Sequence, residues 1–216
     1  MSRNADMTPV HSNTEPLDDG RLSAPAAVRN GPAIVAAIAD WLPDAGMVLE
    51  IAAGTGQHAV ALAQAYPHLT WLPTDIEPER LASVDAWRAA EQVTNMRVAT
   101  WLDASAPDWG VEPVDAVYVA NLMHLLPKAA AKNVIKGVAR ALTPGGRFLL
   151  YGPFRTDGAF RSTGDESFDA KLRESDPKIG YKDLEWIEKR ARKAGMTRCA
   201  MIEVPANNLV VVFEKG

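Results

Sequence analysis

The run Met47-Val48-Leu49-Glu50-Ile51, followed at once by Ala52-Ala53-Gly54-Thr55-Gly56, constrains what this chain can fold into more than any other feature. A short apolar run without polar alternation reads as a strand buried on both faces, and such strands belong to parallel sheets. Parallel neighbours cannot be joined by a tight turn, so helical crossovers must lie between them. The sequence supplies them. Residues 57–66 carry the stripe Val60, Leu62, Ala63 and Tyr66 of a crossover helix. A second strand at 70–74 stops at Asp75, and residues 78–93 return as a helix through Leu81, Val84, Ala86 and Trp87.

The alternation continues with strands near 97–102 and at 114–120, a helix from about 128 to 142 and a strand at 147–151. Ahead of the first strand, Ile34, Val35, Ile38, Trp41 and Leu42 repeat at helical spacing from Gly31, with Pro32 in the first turn and Pro43 as the stop. After a polar stretch, 155–182, a helix at 183–194 precedes two strands, 197–204 and 209–213. Only Pro205-Ala206-Asn207-Asn208 joins those two, too little for a parallel crossover, so the last strand is expected to run antiparallel. The expected fold is α/β: a Rossmann-like, doubly wound, seven-stranded sheet, mostly parallel, with the last strand reversed. Residues 1–20 lack apolar periodicity and read as a flexible N-terminal arm. Residues 21–216 read as one domain, with 152–182 as an insertion on the substrate side.

Composition sets outer limits. At 216 residues and 47% hydrophobic, the chain has enough for one core and too much apolar content for disorder. A formal charge of −4 supplies no global field for a polyanion, and the basic run Lys189, Arg190, Arg192, Lys193 reads as a solvated helix face beside Glu185 and Glu188, so no nucleic-acid partner is expected. Cys199, the single cysteine, cannot close an internal disulfide and leaves no thiol cluster for structural zinc; no metal site is expected. The start has no signal-peptide pattern, and no apolar run approaches the roughly 18 residues of a membrane span. The reading is cytoplasmic, with no membrane partner.

In open α/β sheets ligands bind at the carboxyl ends of the strands. At the first strand end, Gly54 and Gly56 permit a tight turn and close backbone approach to a ligand, ahead of a helix N-terminus. Asp75, at the second strand end, sits where a carboxylate can accept hydrogen bonds from two ribose hydroxyls. Asp103, at the third, fits either an exocyclic amine or a turn with Ser105. Two classes of adenosine cofactor use such a site. Gly54-Thr55-Gly56-Gln57-His58-Ala59 matches the dinucleotide fingerprint, with Asp75 as its acidic partner. Against that reading stand the carboxylate of Glu50, the turn Leu142-Thr143-Pro144-Gly145-Gly146 and the closing antiparallel hairpin.

The series Val48 to Gly56, Asp75, Asp103 and Leu142 to Gly146 resembles the motifs of class I S-adenosylmethionine-dependent methyltransferases over nearly the whole chain after residue 22. Ala52 replaces that turn's usual first glycine. More narrowly, Ser23-Ala24-Pro25-Ala26-Ala27-Val28-Arg29-Asn30, Gly56-Gln57-His58, Tyr151-Gly152-Pro153-Phe154 and Pro205 to Leu209 resemble a little-characterised methyltransferase-like family catalogued as a domain of unknown function. The resemblance implies S-adenosylmethionine as cofactor. It places Gly54 and Gly56, with Ala52, at the methionine moiety; Asp75 at the ribose; Leu102 and Asp103 at the adenine; and Asn121 at the methionine end. Glu50 would orient the loop or the methionine ammonium. Arg29 and Asn30 would close over the cofactor, and His58 would line or cap the loop.

A sulfonium methyl is already activated, so catalysis consists mainly of holding nucleophile, methyl and sulfur in line, with a base only where the acceptor starts protonated. His124 and Tyr151 are the candidate catalytic residues, with a hydrogen-bonded wall residue as the alternative reading of His124. Phe154, Arg155, Phe160, Asn207 and Asn208 are candidates for enclosing a small-molecule substrate; plugging of the insertion by the two aromatics and a simple hairpin turn at the asparagines are the alternatives. A non-catalytic cofactor- or partner-binding protein and an NAD(P)-dependent oxidoreductase are the rival functions.

Overall fold

A computed structural model describes residues 14–216. The sheet has seven strands: β1 (Gly46–Ile51), β2 (Leu69–Asp75), β3 (Thr100–Trp101), β4 (Val114–Ala120), β5 (Leu142–Gly152), β6 (Met196–Val204) and β7 (Asn208–Lys215), in the order β3-β2-β1-β4-β5-β7-β6. The pairs among β1 to β5 are parallel, and β7 alone is reversed, lying antiparallel between β5 and β6. This is the doubly wound sheet that the sequence predicts.

Alternating side chains of the central strands bury both faces. Leu49, Ile51, Val117, Val119, Phe148 and Leu150 pack on one side, under helices α4 (Lys128–Ala141) and α6 (Leu184–Lys193). Val48, Trp71, Ala116, Tyr118, Leu149 and Tyr151 pack on the other, under α1 (Pro25–Ile38) and α2 (Gln57–Ala65), with α3 (Pro78–Ala90) beside them. The topological switch falls between β1 and β4, and their carboxyl ends open the crevice there.

Several local expectations change. Helix α1 starts at Pro25 rather than Gly31, so Pro32 lies inside it and cannot donate to the carbonyl four residues back, that of the exposed Val28. The third strand shrinks to two residues because it is the sheet edge, with Val98 and Trp101 exposed. The polar stretch holds a helix, α5 (Thr163–Ser175), whose N-cap Ser162 accepts a hydrogen bond from the Asp165 amide. Of the arm expected over residues 1–20, residues 1–13 lie outside the described residues, and Glu15–Pro16 pairs antiparallel with Leu22–Ser23. The β6–β7 hairpin turns through Ala206 and Asn207 at φ of 60° and 57°, as a type I′ turn requires. Among the described residues no helix is long and apolar enough to cross a membrane.

Candidate functional site

A cavity of about 530 Å³ opens at the carboxyl ends of β1, β2 and β4. Glu50, Ala52, Gly54, His58, Asp75 and Asn121 line it, together with Arg29 from α1. These seven came from scattered points of the sequence, and the switch point brings them together. Its volume is in the range of small-molecule and cofactor sites.

The floor is a buried acid. Glu50 is only 2% exposed, and its Oε2 accepts a hydrogen bond from Trp71 Nε1. Burial pushes its pKa up to about 8; the Trp71 N–H works against that shift and the Asp75 carboxylate adds to it. Asp75, 4% exposed, is held by three backbone amides: Gly54 N donates to Oδ2 at 2.9 Å, and Ile76 N and Glu77 N donate to Oδ1 at 2.8 and 3.1 Å. The contact from Gly54 ties the β1 turn to the end of β2. It leaves accepting capacity on Oδ2 for a group in the cavity.

Three non-glycine or glycine positions in the turn behave differently. Ala52 takes φ of 56°, a left-handed conformation that favours glycine, and it lines the cavity there. At Gly54, φ is 62° and an added Cβ would meet the Arg80 guanidinium at 3.4 Å and the Ala52 carbonyl at 3.9 Å, so the glycine leaves its side of the cavity open. At Gly56, φ is 92° and a Cβ would lie 2.7 Å from Val84 Cα, so this glycine serves the packing of α2 on α3 and is absent from the lining. Gly56→Ala is therefore expected to destabilise the fold by about 2 kcal/mol or more. Gly54→Ala is expected to cost about 1 kcal/mol and to fall mainly on ligand affinity. Urea unfolding of the two variants beside a binding titration checks the split.

His58 enters from the first turn of α2, its ring edge-on to Tyr151 at 6.5 Å between centroids. Burial holds its pKa down at about 4, opposed by a backbone hydrogen bond at Ala27, so the ring is neutral at pH 7. Its Nε2 is buried without a hydrogen-bond partner. Asn121, at φ of 52°, donates its amide to the Tyr151 carbonyl at 3.0 Å and turns the chain from β4 into the cavity wall. An orphaned imidazole nitrogen, a glycine cradle, the Asp75 carboxylate and the buried acid Glu50 suit a ligand with hydroxyls and a cationic group.

Other expected site residues stand outside the lining. Leu102 is buried in the core under α4, and Asp103 folds back to accept from Ser105 N and Oγ at 2.8 and 2.7 Å. Asn30 reaches the Tyr151 hydroxyl, which also accepts from Asn208 Nδ2 at 3.0 Å; burial pushes that phenol up to about 12. His124 is 6% exposed, with its ring against Phe168 and Tyr181. Phe154 is a core residue and Phe160 packs on Tyr181. Arg155 pairs with Asp183 at 2.8 Å, and Asn207 is exposed in the hairpin turn. Sequence reasoning missed Phe168, Leu122 and Leu125, which form the apolar side of the cavity. The cap pattern Ser162 to Asp165 was the available signal for the helix that carries Phe168.

A fold with this strand order and this strand-end cleft is of the class I methyltransferase type. The chain belongs to the family described as "Protein of unknown function (DUF938)", whose model matches residues 21–215. It is 30% identical over 109 residues to the O-methyltransferase pgmB of Aspergillus terreus, a match covering 48% of this chain and 30% of that protein. Among solved structures it is similar to an O-methyltransferase family 2 protein from Planctomyces limnophilus in complex with apigenin, with a TM-score of 0.76, 19% identity, and 88% of this chain and 58% of that chain covered. It is also similar to the YcgJ protein from Bacillus subtilis, at TM-score 0.67 and 16% identity, covering 85% of this chain and 98% of that one. The chain thus spans under a third of the curated relative and rather more than half of the first of these structures.

Proposed function

We propose that this chain binds S-adenosylmethionine in the strand-end cleft and directs its methyl group to a small-molecule acceptor. The observation that carries the reading is the pairing of Asp75 and Gly54 across the β2 and β1 ends, with Glu50 buried beneath them in the same cavity. When bound, the cofactor supplies a sulfonium-activated methyl group. Asp75 accepts ribose hydroxyls, and the exposed Ile76 beside it offers an apolar face to the adenine. Gly54 lets the backbone approach the methionine portion. Glu50 and Asn121 face the cationic end, where a carboxylate favours ammonium and sulfonium together.

Acceptor enclosure falls to Phe168, Leu122 and Leu125, an apolar wall that excludes water. His124 and Tyr151 act from behind this wall as positioning groups: the His124 carbonyl accepts from Gly180 N at 2.9 Å, and Tyr151 joins α1 to the β6–β7 hairpin through Asn30 and Asn208. Transfer then rests on in-line positioning, with a base required only where the acceptor starts protonated. The exposed free thiol of Cys199 suits a cytoplasmic setting. Incubation with methyl-tritiated S-adenosylmethionine and a panel of small phenols and carboxylic acids tests the activity. Label transferred to a panel member, and lost in Phe168→Ala, supports it; label transferred to no panel member but to nucleic acid added in a parallel incubation contradicts the acceptor class.

A further inference from the structure

A second cavity, of about 370 Å³, lies between the start of α4 and the segment that leaves α5. Four cationic side chains line it: Lys128, Arg173, Lys178 and Lys182. The acids beside it are already engaged: Asp169 by Arg173 Nε at 2.6 Å and by the Tyr181 amide at 2.6 Å, and Asp176 by the Lys178 amide at 2.9 Å. Among the described residues Lys128, Lys178 and Lys182 form no ion pair, and the remaining lining is Pro127, Pro177, Ile179 and Tyr181.

Lys182 is the unusual member. It is only 2% exposed, and its Nζ donates to the Gly180 carbonyl at 2.6 Å. A buried ammonium without an ion-pair partner of its own is costly unless something compensates it. Burial, with Arg173 and Lys128 adding repulsion and Asp169 opposing the shift, lowers its pKa to about 8. Gly180 makes the arrangement compact: at φ of 124°, an added Cβ would lie 2.6 Å from both Arg173 Nη2 and Asp169 Oδ1. The amino end of α4 points the same way electrostatically, since its first turn has no acidic residue and no side-chain cap. Lys128, Lys132, Lys136 and Arg140 recur every four residues along the exposed side of α4, which has no acidic residue. In a chain of net charge −4, this one-signed stripe ends at the cavity.

We propose that this cavity binds a small organic phosphate, its phosphoryl group held by Lys182, Lys128, Lys178 and Arg173 and its organic part against Ile179 and Tyr181. A dianion supplies the ion-pair partner that Lys128, Lys178 and Lys182 lack, and each contact is a charge-assisted hydrogen bond. The recessed position of Lys182 selects a group that enters the cavity over a polyanion backbone that tracks the surface. The inference is independent of what occupies the strand-end cleft, from which the aromatic pair Tyr181 and Phe168 separates it.

The test is ³¹P NMR titration of the full chain with ribose 5-phosphate and with inorganic phosphate at constant ionic strength, and calorimetry with ribose. Saturable binding of ribose 5-phosphate is expected, weaker binding of inorganic phosphate and none of ribose. Lys182→Met is expected to weaken ribose 5-phosphate by about tenfold or more, and the exposed Lys128→Ala by severalfold, with S-adenosylmethionine affinity unchanged in both. Lys128→Ala carries the test alone if Lys182→Met does not fold. Three results would overturn the proposal: no saturable shift with either phosphate, equal affinity in the parent and the variants, or tighter binding of a single-stranded oligonucleotide that Lys132→Ala and Lys136→Ala together abolish. Equal binding of inorganic phosphate would overturn the organic part of the assignment.

Discussion

Asp75→Asn is expected to weaken S-adenosylmethionine binding by about tenfold to a hundredfold, the worth of a charge-assisted hydrogen bond to the ribose. The structure explains why asparagine is the better probe than alanine. The Asp75 carboxylate accepts from Gly54, Ile76 and Glu77, so alanine would take the acceptor from three backbone amides at once and endanger the turn itself. Asparagine keeps an acceptor at Oδ1 for Ile76 and Glu77. Its amide nitrogen then faces Gly54 N, which costs stability of about 1–3 kcal/mol, and offers no acceptor to a ribose. Calorimetry on the variant, with urea unfolding to establish that it is folded, reads both effects. Unchanged affinity in a folded variant would remove Asp75 from the ribose.

Glu50→Gln is expected to move stability and binding in opposite directions. The folded pKa of Glu50 is raised from the ordinary 4.5 to about 8 by burial, so the native state binds this proton more tightly than the unfolded chain does. The contribution is fully present below pH 4.5 and is lost as pH rises through 8. A glutamine stays neutral throughout and can still accept from Trp71 Nε1. The variant should therefore match the parent below pH 4.5 and exceed it at pH 8 by on the order of a few kcal/mol. Cofactor affinity should fall, because the carboxylate that faces the cationic end is gone. A cationic ligand also lowers the Glu50 pKa on binding, so the parent should release a proton near pH 7, seen as a dependence of binding enthalpy on buffer; the variant should not. A variant that binds as the parent does would leave Glu50 a purely structural acid.

The parts legible in the sequence were those whose determinants are local. Val48 to Ile51 reads as a buried strand because burial on both faces leaves no alternation to disguise it, and Gly54 and Asp75 stand at strand ends that their own flanking residues define. The reversed last strand follows from a four-residue connection. Helix α5 stayed hidden because its surface is charged and two of its acids, Asp165 and Asp169, are buried, bonded to Tyr181, which the chain's return brings near, and to Arg173 one turn along the same helix. With α5 unread, Phe168 had no place in the cavity. Arg155 looked free for a substrate, yet it pairs with Asp183, 28 positions on, and Arg161 pairs with Glu203, 42 positions on. Sequence spacing carries no trace of such pairs. Gly56 shows the same limit, since its conformation was legible but the Val84 backbone that requires it was not.

Calorimetric titration of the purified chain with S-adenosylmethionine, with S-adenosylhomocysteine and with NAD tests the central claim most directly. The account predicts saturable binding of the first two, weakened in parallel by Asp75→Asn, and none of NAD. Binding of NAD alone, or of none of the three, would contradict it.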